Sequence, residues 1–232
     1  MCDELLGPDE ETPSGRATAG RRRPPRSRAD ASRIRALEEE LTRTRALVHE
    51  ADHRAKNTLQ VVTSLVLLQA RRAADAPTLY AIAERINALS LVHRLLAEEE
   101  DGRFPLGRFL HELADEVRGT SGRIAIALDV PAIDVPAAKA PSLGLLLHEV
   151  LANAQRHAFP DDAGGHVSIR LAREADRVVV TVADDGVGTP DEPPEGFGLL
   201  LVDLLGRQLG AEIVREPARP GTRITVALPV EA

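Results

Sequence analysis

The chain of 232 residues contains no tryptophan, one tyrosine and four phenylalanines, so aromatic residues amount to 2%. Its core therefore has to be built from Leu, Val, Ile and Ala, the mixture that suits helical bundles and thin helix-on-sheet sandwiches. A single cysteine, Cys2, excludes a disulfide framework and fits a reducing compartment. No apolar run approaches the ~20 residues of a membrane helix. The best candidate, 58–70, is shorter and amphipathic. The first residues are acidic, not basic and then apolar, so no secretory leader is read and a cytoplasmic location is expected. A formal charge of −7 disfavours a general nucleic-acid partner.

What is present divides the chain into three. Residues 1–30 carry acids and then Arg16, Arg21, Arg22, Arg23, Arg26 and Arg28 among Pro, Gly and Ser, the composition of a disordered tail. From 31 to 72 the pattern predicts one long helix, with Ile34, Leu37, Leu41, Thr44, Val48 and Ala51 stepping by three and four. A turn is expected over 73–77, ahead of Pro77, and a second helix over 78–99 with Ile82, Ile86, Leu89, Val92 and Leu96 on one stripe. Two such helices cannot bury their stripes alone, so a homodimeric four-helix bundle is expected over 31–102. The acidic run Glu98 to Asp101 and Gly102 marks a hinge. Beyond it, 103–232 mixes elements: helices over 106–118, 141–159 and 197–209, and strands over 123–130, 166–172, 177–183, 211–215 and 222–228. The short link 173–176, between the strands over 166–172 and 177–183, predicts an antiparallel hairpin. Helices and strands do not alternate regularly, so the expected fold class is α+β, with helices on one face of a mixed sheet.

Several residues carry potential chemistry. His53 lies off the stripe of the first helix, among Arg54, Lys56 and Asn57, with Glu50 one turn back. An exposed histidine flanked by cations is placed to attack an anionic centre. Glu149 and Asn153 are four apart on the 141–159 helix and share one face. There a carboxylate can orient or activate a nucleophile, and an amide oxygen can complete the hard-oxygen shell of Mg²⁺. Asp184 to Gly188 reads Asp-Asp-Gly-Val-Gly after an apolar strand. Its carboxylate can accept from an exocyclic amine, and Gly186 and Gly188 let backbone lie close to a flat ring. Gly196-Phe197-Gly198 enters a helix, where free N–H groups favour phosphate. It is neither a Walker loop nor a dinucleotide fingerprint. Gly221-Thr222 opens the last strand, where the Thr222 hydroxyl can support a base.

In this order the motifs resemble those of two-component sensor histidine kinases, whose ATP-binding domains belong to the Bergerat superfamily with gyrase, Hsp90 and MutL. The box His53-Arg54-Ala55-Lys56-Asn57 and the run Asn153 to Pro160 resemble the subclass related to HWE-type kinases. The resemblance covers about 34–229 and implies a helical hairpin followed by an α/β sandwich that binds ATP and Mg²⁺. It implies His53 as phosphoacceptor, Glu149 as the group orienting the nucleophile and Asn153 as the Mg²⁺ ligand. It also implies Asp184 as reader of the adenine amine, Gly186, Gly188, Gly196 and Gly198 as shapers of pocket and lid, and Thr222 as an adenine support. The implied partner is a response-regulator receiver; a second copy of the chain is expected from the bundle, and input is expected from the tail, from a separate sensor protein, or from nothing. The chain departs from the pattern in lacking the tryptophan of the HWE group and a phenylalanine box, and in placing Arg54, not an acid, after His53. A histidine phosphotransferase or regulator phosphatase with little autokinase activity is the alternative.

Overall fold

The computed structural model describes residues 31–44, 63, 76–99, 101–120, 122–161, 163–188 and 197–229. The chain divides into two compact units, 1–46 and 47–232. In the first, helix α1 spans 31–44. The Thr42 and Thr44 hydroxyls donate to the carbonyls of Glu38 and Glu40 one turn back, at 2.7 and 2.8 Å. Ile34, Leu37 and Leu41 form an exposed apolar stripe along it.

The second unit is built around five strands. Strands β2 (Ile124–Asp129), β4 (Gly165–Glu174), β5 (Arg177–Asp184), β6 (Glu212–Pro217) and β7 (Thr222–Pro229) form one sheet in the order β2-β4-β5-β7-β6. The β2–β4 pair is parallel and the other three pairs are antiparallel, with β4 and β5 forming the expected hairpin. Alternation does the sorting: Val167, Ile169 and Leu171 of β4, Val178, Val180 and Val182 of β5, and Val226 and Leu228 of β7 are all buried, while their neighbours point the other way. Helices α3 (Leu106–Thr120), α4 (Ala140–His157) and α5 (Phe197–Leu209) supply the other half of the core. Pro141 sits in the first turn of α4, where its missing N–H costs nothing. Two strands had no periodicity to betray them. β1 (Arg103–Pro105) and β3 (Asp134–Pro136) pair antiparallel in a separate two-stranded ribbon.

Helix α2 (Ala76–Glu98) corrects one expectation. The sequence stripe pointed Val92 and Leu96 toward a bundle together with Ile82. Leu91, Val92 and Leu95 are buried in the core shared with α3 and α4, Leu96 packs against that core, Ala88 is buried as well, and Ile82 is exposed. The reason is a notch: Gly144 of α4 has no side chain, and any Cβ there would collide with Val92 Cγ2. Arg94 and Arg108 pair with Glu98 and Glu112, tying α2 to α3 where a hinge was read. Pro77 does not precede α2 but lies in its first turn.

Candidate functional site

A cavity of about 870 Å³ opens between α2, α4, the ends of β5 and β7, and the start of α5. Among the described residues its charged lining is one carboxylate, Asp184, and three arginines, Arg85, Arg156 and Arg215. Val150, Ala154, Val182 and Ile224 supply apolar wall. Such a site suits a flat polar ring attached to an anion.

At one end, the Asp184 carboxylate is held by its own loop. Its Oδ1 accepts from the backbone N–H of Gly186 and of Thr222, each at 3.1 Å. Two amides thus fix one oxygen and leave the other to a ligand. The turn needs its glycines. Gly186 packs so tightly on Ala158 that a Cβ would strike the Ala158 carbonyl oxygen. Gly221 has φ of +94°, and a Cβ there would run into the backbone of Asp184. The Val187 N–H donates to the Ala158 carbonyl at 2.9 Å, so the turn is anchored to the end of α4. Gly188 and Thr222 line the cavity beside Asp184.

At the other end lie Glu149 and Asn153, on one face of α4 as their spacing required. Gly198, in the first turn of α5, seats against both. A Cβ on it would sit 3.0 Å from Glu149 Oε2 and 3.2 Å from Asn153 Oδ1. Asn153 Nδ2 is buried without a hydrogen-bond partner. Among the described residues no group of three His, Cys, Asp or Glu side chains could hold a metal ion. A divalent cation at this place would therefore rest on the Asn153 amide oxygen together with ligand and water oxygens, which is how Mg²⁺ usually binds. The residues fit that ion.

Glu149 is fully buried and not solvated. Arg85 of α2, which periodicity did not single out, covers it with a two-pronged ion pair: Nε to Oε1 at 2.7 Å and Nη2 to Oε2 at 3.0 Å. The same guanidinium lies 4.8 Å above the ring centre of Phe197. Burial raises the Glu149 pKa, but the neighbouring His148 and the Arg85 pair outweigh it and hold the carboxyl at about 2. His148 is itself buried, with Nδ1 lacking a hydrogen-bond partner 3.4 Å from Glu149 Oε1. Arg156 and Arg215 are paired at the rim with Glu84 and Asp203, at 3.1 and 2.6 Å.

The structure thus brings together Glu149, Asn153, Asp184, Gly188, Gly198 and Thr222, with Gly186 in the turn behind. His53, its neighbours Glu50 and Asn57, and Gly196 lie outside the described residues.

Residues 50–121 match the family described as histidine kinase, and residues 138–232 match the histidine kinase-, DNA gyrase B- and HSP90-like ATPases. A blue-light-activated histidine kinase of Erythrobacter litoralis is 34% identical over 194 residues, covering 78% of this chain and 56% of that protein. The sensor histidine kinase PdtaS of Mycobacterium tuberculosis is 32% identical over 220 residues, covering 87% of this chain and 43% of that protein. The chain thus spans about half the length of these relatives. The solved histidine kinase domain of a blue-light-activated kinase from E. litoralis superposes with a TM-score of 0.61 at 31% identity, over 83% of this chain and 94% of that domain. No helix among the described residues is long and apolar enough to cross a membrane.

Proposed function

The chain belongs to the histidine kinase family, and from that membership we propose that it moves the γ-phosphoryl group of ATP onto His53 and then to an aspartate of a response-regulator receiver. The observation carrying this reading is the cavity in which the amide-pinned Asp184 stands at one end and Asn153 and Gly198 at the other. Asp184 reads the adenine amine through its unoccupied oxygen, with Thr222 and Gly188 beside the ring. The start of α5 and the arginines receive the phosphates. Asn153 would hold Mg²⁺ through its amide oxygen, and that ion would supply charge neutralisation at the phosphates. The unprotonated nitrogen of the His53 imidazole, reference pKa ~6.5, attacks phosphorus. An N–P bond forms as the bond to the bridging oxygen breaks, ADP leaves, and the ring gives up its other proton. Glu149, held at about 2, is a poor proton acceptor at neutral pH and serves to position. Glu50, one helical turn before His53 in sequence, is the better base.

The proposed arrangement is a phosphotransfer hairpin over 31–102 pairing as a homodimer and an ATP-binding domain over 103–232, in a cytoplasmic protein; the tail over 1–30 lies outside the described residues. With γ-labelled ATP the chain should acquire acid-labile, alkali-stable label. His53→Ala should abolish that label while nucleotide binding persists. Acid-stable label, or label persisting in His53→Ala, would refute the assignment. The burial of Glu149 under Arg85 favours one second reading, a phosphotransferase or phosphatase with little autokinase activity. That protein would stay unlabelled yet remove phosphate from a phosphorylated receiver.

A further inference from the structure

We propose that Arg85 is a latch: while it grips Glu149 it fastens the first half of α2 across the phosphate end of the cavity, and the terminal phosphate of a bound nucleoside triphosphate draws it off. The inference rests on the nucleotide site proposed above.

Arg85 is placed between two anions, one present and one to come. Its guanidinium holds both oxygens of Glu149 and also lines the cavity. The planar fork matches a phosphate as well as it matches a carboxylate. Phe197 lies beneath it, at the start of the helix that would meet the phosphates, so the cation keeps an aromatic face while it exchanges partners.

Releasing Arg85 would normally strand a fully buried carboxylate, which is expensive. Here a substitute donor stands ready. His148 Nδ1, buried and unpartnered, is 3.4 Å from Glu149 Oε1. A small shift of that ring turns the contact into a hydrogen bond from Nδ1–H, and the carboxylate remains held.

Helix α2 is also divided in the way a latch requires. From Ala76 to Arg85 only Ala83 is buried, whereas Ala88, Leu91, Val92 and Leu95 are all in the core. Arg85 therefore stands at the boundary between a lightly held half and an anchored half. Among the described residues the light half is also tied by Glu84 to Arg156, an exposed pair that holds little.

Hydrogen exchange on the full chain tests this, with a non-hydrolysable ATP analogue and with ADP. The analogue should speed exchange across 76–87 on the order of tenfold, leave 88–98 protected, and exceed the effect of ADP. Arg85→Met should show the fast 76–87 exchange without nucleotide and gain no more from the analogue, while Arg85→Lys should fall between. Exchange over 76–87 that ignores the analogue, or responds equally to ADP, overturns the latch. So does an Arg85→Met protein that still responds. Nucleotide affinity on the same samples separates the two readings: if the analogue does not bind, both fall; if it binds and α2 does not respond, only the latch falls.

Discussion

One oxygen of Asp184 is shared between two backbone amides, so a change at this side chain can act on the loop or on the ligand. Asp184→Asn keeps one oxygen to accept from those amides and replaces the other, the acceptor for the adenine amine, with an NH₂ donor. It should weaken ATP binding by about 1.5–3 kcal/mol, roughly 10- to 100-fold, with little change in the melting temperature. Unchanged affinity by titration calorimetry would remove Asp184 from the adenine site. Gly198 offers the complementary case. An added methyl lies 3.0 Å from Glu149 Oε2 and 3.2 Å from Asn153 Oδ1, atoms fixed by α4. Gly198→Ala should push the start of α5 outward and weaken ATP binding more than it lowers stability, which parallel binding and melting measurements would reveal.

At the scale of elements, the α2–α4 contact is governed by one small residue and one buried ion pair, Arg85 to Glu149. Gly144→Ala puts a methyl where Val92 already sits, so α2 must move or the core must strain, at a cost of about 1–3 kcal/mol in urea unfolding. The ion pair has a pH signature. The Glu149 carboxyl titrates at about 2 in the folded chain against an ordinary 4.5. Its stabilisation is therefore complete above about 4.5 and is lost as pH falls toward 2. The full contribution is about 3 kcal/mol, and Glu149→Gln should flatten the fall in stability across that acid window. An unchanged slope would show that the pair contributes nothing. Neither α2 contact was legible in the sequence. An apolar stripe states that it will be covered and not by what, and Val92 satisfies the bundle reading as well as its contact with α4. Arg85 was harder still, because its partner lies 64 residues away. The β4–β5 hairpin, by contrast, needed only alternating Val and Ile and a short turn.

For the whole molecule, α2 supplies part of the core on which the sheet domain is built. Leu91, Val92 and Leu95 belong to the same buried cluster as Phe104, Phe109 and Leu113. Burying Leu or Val fully is worth roughly 1.5–3 kcal/mol apiece, so a chain starting at residue 101 should melt well below the full protein or aggregate. Differential scanning calorimetry of both would show it. The motifs of the site were legible because Glu149 and Asn153 need only helical spacing, and Asp184 and its glycines only a turn. Their convergence was not, since it depends on β5 and β7 being neighbours in the sheet and on α5 seating Gly198 against α4.

The seat of Val92 over Gly144 constrains how motion can travel. A helix whose side chain fills a socket in another cannot spin about its own axis without climbing out, so torque applied to α2 has to swing α4 with it. Glu149 and Asn153 ride on α4, and a twist delivered from outside would arrive at the triphosphate as a change of aim.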